Sequence, residues 1–145
     1  MNRQFFGSVL AGVGLAAAAV GPAAAHHSFG AEYDGQKVVT LTGVVTKVEW
    51  TNPHCHFYID VTDEKGGVVN WKFEGYGIGP LYRNGWKRDV TIKPGDRVTA
   101  TGYRARDGGP WAHSREVIVA GGQKMLFGPP PGTGDGGAIP AVEVR

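Results

Sequence analysis

Four of the five histidines fall in two short stretches, His26-His27 and His54-Cys55-His56. The second lies in Trp50 to Asp63 (WTNPHCHFYIDVTD), whose centre alternates. Cys55, Phe57, Ile59 and Val61 fall on one side of a strand, and His54, His56, Tyr58 and Asp60 on the other. A period-two strand sets His54 and His56 about 6.5–7 Å apart on one face, close enough to ligate one metal ion.

The first stretch acquires chemistry through processing. Cleavage after Ala25 would free an α-amine on His26, and that amine and the His26 imidazole can chelate one metal. A third nitrogen from His27, His54 or His56 completes a T-shaped histidine brace, which suits copper. The α-amine has an ordinary pKa of about 7.7–8.0, so metal can displace its proton near neutral pH. Cleavage one residue earlier would leave Ala25-His26-His27, with histidine third, a pattern that binds Cu(II) or Ni(II) in a square plane through backbone nitrogens. The bland alternative is a pair of polar residues beside a cleavage point and two histidines hydrogen-bonding on a solvated sheet face.

Other reactive groups offer less. Cys55 is flanked by imidazoles, but neighbouring strand residues face opposite sides, so neither can easily take its proton; it reads as buried packing. Glu32, Asp34, Asp60 and Glu74 show no spacing that selects an acid–base pair, and His113 beside Trp111 reads as structural or surface. No phosphate-cradling glycine motif or nucleophile elbow is present, and no catalytic residue is assigned.

The elements that position these groups follow a start with Arg3, an apolar run from Phe5 to Val20 and Ala23-Ala24-Ala25, the pattern of a cleaved secretory signal over residues 1–25. Its removal leaves 14 basic and 13 acidic side chains, a balance of +1, which argues against a nucleic-acid partner. No membrane-spanning segment is expected after processing, and the expected address is the periplasm. One cysteine in the chain means no internal disulfide, so stability falls to packing or a bound ion.

Residues 26–36 read as an extended N-terminal arm, with Phe29 and Tyr33 to pin it to the body. Residues 37–50 form a long first strand in which Leu41 and Val44 both look core-facing, so the period slips at Gly43 and predicts a β-bulge there. Pro53 breaks the chain before the histidine strand. Asp63 to Gly67 is a hairpin turn, and Val68–Glu74 returns with Val69, Trp71 and Phe73 on one face and Asn70, Lys72 and Glu74 on the other. Gly79-Pro80 opens a short helix that Gly85 ends, and Lys93-Pro94-Gly95-Asp96 is a turn into a strand over Arg97–Tyr103. A fifth strand follows over Ala112–Val119. The domain so defined runs over 37–127, and residues 128–145, rich in glycine and proline, read as a flexible tail.

This order predicts an all-β fold, a five-stranded OB-like Greek-key barrel with a short helix between strands 3 and 4; an open antiparallel β-sandwich is the competing arrangement. Both bury Val44, Val48, Phe57, Ile59, Trp71, Phe73 and Val98.

The strings AHHSF at 25–29, LTGVVTKVEWTNPH at 41–54, GW at 85–86, KPGD at 93–96 and GYRARDG at 102–108 resemble a family of small exported bacterial proteins of unknown function. The resemblance implies an exported single-domain protein and brings no catalytic residue. The residues therefore carry the functional expectation: a copper carrier or sensor using His26, His27, His54 and His56, or, as an enzyme, a copper-dependent oxidoreductase. The alternative is a metal-free binding module, or an accessory subunit for a periplasmic partner, offering Tyr58, Asn70, Lys72 and Glu74 to a glycan, peptide or protein. Oligomeric state is left open by the residues.

Overall fold

The computed structural model describes residues 29–129. The expected signal peptide, His26, His27 and the tail from residue 130 lie outside them. Six strands and two short helices follow in the order α1 (Phe29–Glu32), β1 (Tyr33–Glu49), β2 (His56–Thr62), β3 (Val68–Glu74), α2 (Ile78–Arg83), β4 (Arg97–Ala105), β5 (Trp111–Ile118) and β6 (Lys124–Leu126). The sheet order is β3-β2-β1-β4-β5-β6, and β3 also pairs with β5, so five strands close into a ring with β6 appended to β5. The β3–β5 pairing is parallel; every other pairing is antiparallel. The fold is all-β with the expected helix between β3 and β4, and ring closure distinguishes it from an open sandwich.

Turn chemistry accounts for the connections. Asp63 Oδ1 accepts from the backbone N–H groups of Lys65 and Gly67, each at 2.8 Å, which closes the β2–β3 hairpin. In the turn before β4, Gly95 takes a φ of 94° after Pro94, and Asp96 Oδ2 accepts from Lys93 N at 3.0 Å.

The core lies inside the ring. Phe57 and Phe73 stack with centroids 5.1 Å apart, and Phe127 meets Phe57 edge-on at 4.9 Å. Trp86 packs against Phe127 and donates from Nε1 to the Leu126 carbonyl at 2.7 Å. Cys55 is fully buried, its Sγ donating to the Thr51 carbonyl at 3.3 Å, and burial pushes its thiol pKa up.

Several expectations need correction. Within the described part of the expected extended arm, Phe29–Glu32 form a single helical turn and β1 already begins at Tyr33, because Tyr33 pairs with Ala105 of β4 and is buried. Phe29 and Tyr33 do pin this segment: Phe29 packs on Tyr33, Tyr103 and His113 at 5.3–5.5 Å. The bulge expected at Gly43 lies between Val45 and Lys47, leaving Thr46 as the extra residue. Val45 is therefore the core residue and Val44 is exposed, while Val48 and Trp71 only pack at the core's edge. The strand pattern overlooked β6, and Gly128, the expected start of the tail, is buried, its N–H donating to the Arg115 carbonyl at 3.3 Å.

Gly43 has a different reason for being glycine: a Cβ there would lie 2.4 Å from the Asp60 carbonyl oxygen of β2. Gly43→Ala is expected to destabilise the fold by about 1–3 kcal/mol, the usual cost of overpacking. A urea midpoint equal to that of the parent protein would show that the β1–β2 crossing has slack.

Candidate functional site

The Thr46 bulge reverses which side of β1 faces outward, and this brings Lys47 opposite Tyr58 and Glu49 opposite His56. On the other side of β2, His56 pairs with Glu74, Tyr58 with Lys72 and Asp60 with Asn70. Alternation along three adjacent strands thus places every polar-face candidate, Tyr58, Asn70, Lys72 and Glu74, on the face that carries His56. His54 lies just before β2 rather than within it. Its loop is held by Thr51 Oγ1, which donates to the His54 carbonyl at 2.6 Å, and by Asn52 Oδ1, which accepts from Ile78 N of α2 at 3.0 Å.

Glu74 is the hub of this face. Its Oε1 pairs with His54 Nδ1, its Oε2 accepts from the Tyr33 hydroxyl at 2.8 Å, and His56 Nε2 stands 3.7 Å from Oε2. The Glu74 side chain is only 12% exposed. Burial alone would raise its pKa. Hydrogen bonding by His54, His56 and Tyr33, together with the His54 charge, outweighs burial and holds the carboxyl well below the usual carboxylate range. A carboxylate accepting from Nδ1–H orients the His54 ring.

A second carboxylate stands across His56. Glu49 Oε2 is 3.9 Å from His56 Nδ1 and accepts from the Tyr58 hydroxyl at 2.9 Å, while Lys47 Nζ reaches Glu49 Oε1 at 2.5 Å. Hydrogen bonds from Lys47 and Tyr58 lower the Glu49 pKa; burial, then Glu49, raises that of Tyr58. Further along the face, Asn70 Nδ2 donates to Asp60 Oδ1 at 2.7 Å and to Thr46 Oγ1 at 3.0 Å.

Next to Glu74 on the β5 side stands His113, paired with it in register. His113 is buried, and its ring meets Phe29 and Tyr33 at 5.3 and 5.2 Å. Arg106, in the GYRARDG stretch, ties the first turn down by donating from Nε to the Gly30 carbonyl at 2.7 Å and from its backbone N–H to the Glu32 carbonyl at 2.9 Å.

The structure thus groups His54, His56 and Glu74, and adds Tyr33, Glu49 and His113, which sequence reasoning left out of the site. The predicted donors His26 and His27 lie outside the described residues. Among the described residues no three His, Cys, Asp or Glu side chains converge in a way that could hold a metal ion, and no helix is long and apolar enough to cross a membrane. His54 Nδ1 is paired with Glu74, and both nitrogens of His56 face carboxylates.

Because the Glu74 carboxyl lies below the unfolded value of about 4.3, it stabilises the fold at neutral pH, and that contribution is lost as pH falls from about 4.3 through the depressed folded value. Glu74→Gln is expected to cost about 2 kcal/mol at neutral pH, the scale of a hydrogen bond to a charged group. The gap to the parent protein should narrow on acidification. Denaturant titrations at about pH 7 and about pH 3 read both; an equal gap at the two would mean that Glu74 does not carry this charge.

A search of curated proteins finds no match to the chain. A family profile described as Family of unknown function (DUF6152) matches residues 14–113, from before α1 to His113 in β5, and the chain belongs to that family.

Proposed function

We propose that this protein is exported to the periplasm and binds copper through the N-terminal amine and imidazole of His26 together with His54, as a carrier or sensor. The observation that supports this most is the contact chain from the first turn to the histidine face. Phe29 packs on Tyr33, Tyr33 donates to Glu74, and Glu74 takes Nδ1 of His54. His26 is three residues from Phe29, a span of at most about 10–11 Å when extended. Phe29 stacks edge-on against His113, which is one strand from Glu74 and two from His56. Strand neighbours lie about 4.8 Å apart, which puts Phe29 near the seam that carries Glu74.

His54 is favoured over His56 as the strand-side ligand. An imidazole that gives its other N–H to a carboxylate is oriented and made more basic, the usual environment of a metal-bound histidine. Glu74 is in that position for His54. His56 lies between two carboxylates at 3.7 and 3.9 Å, so both its nitrogens already face acidic groups. His27 is the alternative third donor. A copper ion so held supports storage or, with a reductant and oxygen, oxidation; turnover with peroxide release would favour an oxidoreductase.

A second reading rests on the registered row Tyr58–Lys72 and Asp60–Asn70 beside Glu74. It offers hydroxyl, ammonium and amide groups on one sheet face to a glycan, peptide or protein without metal.

The decisive measurement is the native mass of untagged mature protein purified without chelator, expected to begin at His26 and to carry one copper. His26→Ala and His54→Ala should each weaken Cu(II) binding by about tenfold or more, roughly 1.4 kcal/mol, with the fold intact by circular dichroism. His56→Ala should have the smaller effect. Unchanged affinity in His26→Ala would remove the brace and leave the metal-free face as the better account.

A further inference from the structure

We propose that the end of the ring opposite α2 binds a small monocarboxylate with an apolar body, held by Arg104 and by Val39, Leu41, Val61, Val69 and Trp71. A closed ring has two ends, and α2 stops one of them. It follows β3, sends Leu81 into the core, and packs Tyr82 on Trp50, the residue just past β1. That is the end where β1 and β3 finish. At the other end β1 and β3 begin and β2 and β4 finish. α1 does not cover its interior: Phe29 packs on Tyr103 and His113, which alternation puts on the outer side of β4 and β5.

Register identifies the inner residues of this end. Leu41 stands opposite Ala100 and Val39 opposite Gly102; across β2 and β3, Ile59 stands opposite Trp71 and Val61 opposite Val69. Ile59 and Ala100 are sealed at 0% exposure, whereas Val69 is 40% exposed and Val39, Leu41, Val61 and Trp71 are only partly buried. The packed core therefore stops one layer short of the opening. What is left is a shallow apolar floor, suited to a small body lying across it.

Arg104 supplies the charge. It stands opposite Ala112 of β5, which is fully buried, so its side chain also turns inward. Its guanidinium lies over the Trp71 ring, 5.6 Å from the centroid, and Nη2 donates to the Gly108 carbonyl at 2.7 Å. Among the described residues Nε is buried with no acceptor, and no carboxylate pairs with this arginine. A cation left short of acceptors beside apolar side chains is costly, and its planar fork matches a carboxylate. The other five residues of the floor are apolar, and Lys72 stands opposite Tyr58 on the outer face. One positive charge suits a monoanion; a phosphomonoester dianion would leave a negative charge uncompensated. The site shares no residue with the histidine face and does not depend on copper.

The test titrates three probes into the isotope-labelled full chain at neutral pH with no metal added, following amide and indole N–H signals by NMR. Octanoate has both charge and apolar body, octanol the body alone and acetate the charge alone. Octanoate is expected to move the signals of Val39, Leu41, Val69 and the Trp71 indole saturably, and to bind about tenfold or more tighter than either control. Arg104→Gln should bring octanoate down to the affinity of octanol, and Val69→Ser should weaken it as well. Equal affinity for octanoate and octanol in the parent protein would overturn the site even if Arg104→Gln failed to fold. So would octanoate shifts confined to other parts of the chain, or none at all.

Discussion

A carboxylate with little access to water needs donors, and Glu74 takes them from two separate parts of the chain. Tyr33 comes from the start of β1, and His54 and His56 from the loop before β2 and its first residue. Each donor is itself held by packing or hydrogen bonds: Tyr33 by Phe29, Trp111 and His113, and the His54 loop by Thr51 and Asn52. Breaking one partner leaves a buried charge short of compensation, which costs more than the lost bond itself.

Ring closure has the same dependence on close backbone approach. Glu74 lies on β3 where that strand runs parallel to β5, opposite His113. Directly after it, Gly75 passes the Phe127 carbonyl so closely that a Cβ would stand 2.2 Å away, and Gly102 of β4 meets the His113 carbonyl at 2.4 Å. These glycines have no room for a side chain, and at Gly75 that lets the segment after β6 bring Phe127 into the core. The seam that closes the ring and the seam that carries Glu74 are the same one.

Much of this was legible in the residues. Period-two alternation located β2 and β3 and put His56, Tyr58, Asn70, Lys72 and Glu74 on one face, because one side of each strand is apolar. Asp63-to-Gly67 and the Lys93-Pro94-Gly95-Asp96 turn announced their own conformations. The bulge was misplaced because glycine marks both bulges and tight crossings, and only the partner strand tells them apart. β6 is three residues long and carries no pattern to detect. Within the site, Tyr33 and His113 were missed because they join Glu74 through a hydrogen bond and sheet pairing across long sequence separations, about which local spacing is silent; Glu49 was missed because the Thr46 bulge decides which way it faces.

Cys55 bears on the life of the chain before it is folded. In the native protein the thiol is sealed, at 0% exposure, with its hydrogen directed at the Thr51 carbonyl and its ionisation suppressed by burial. A thiol in that state is a poor nucleophile toward disulfides. An unfolded chain has no such shield, and the lone cysteine has no partner in its own sequence. In an oxidising compartment, mixed disulfides and covalent dimers are then hazards of slow folding rather than of the finished molecule.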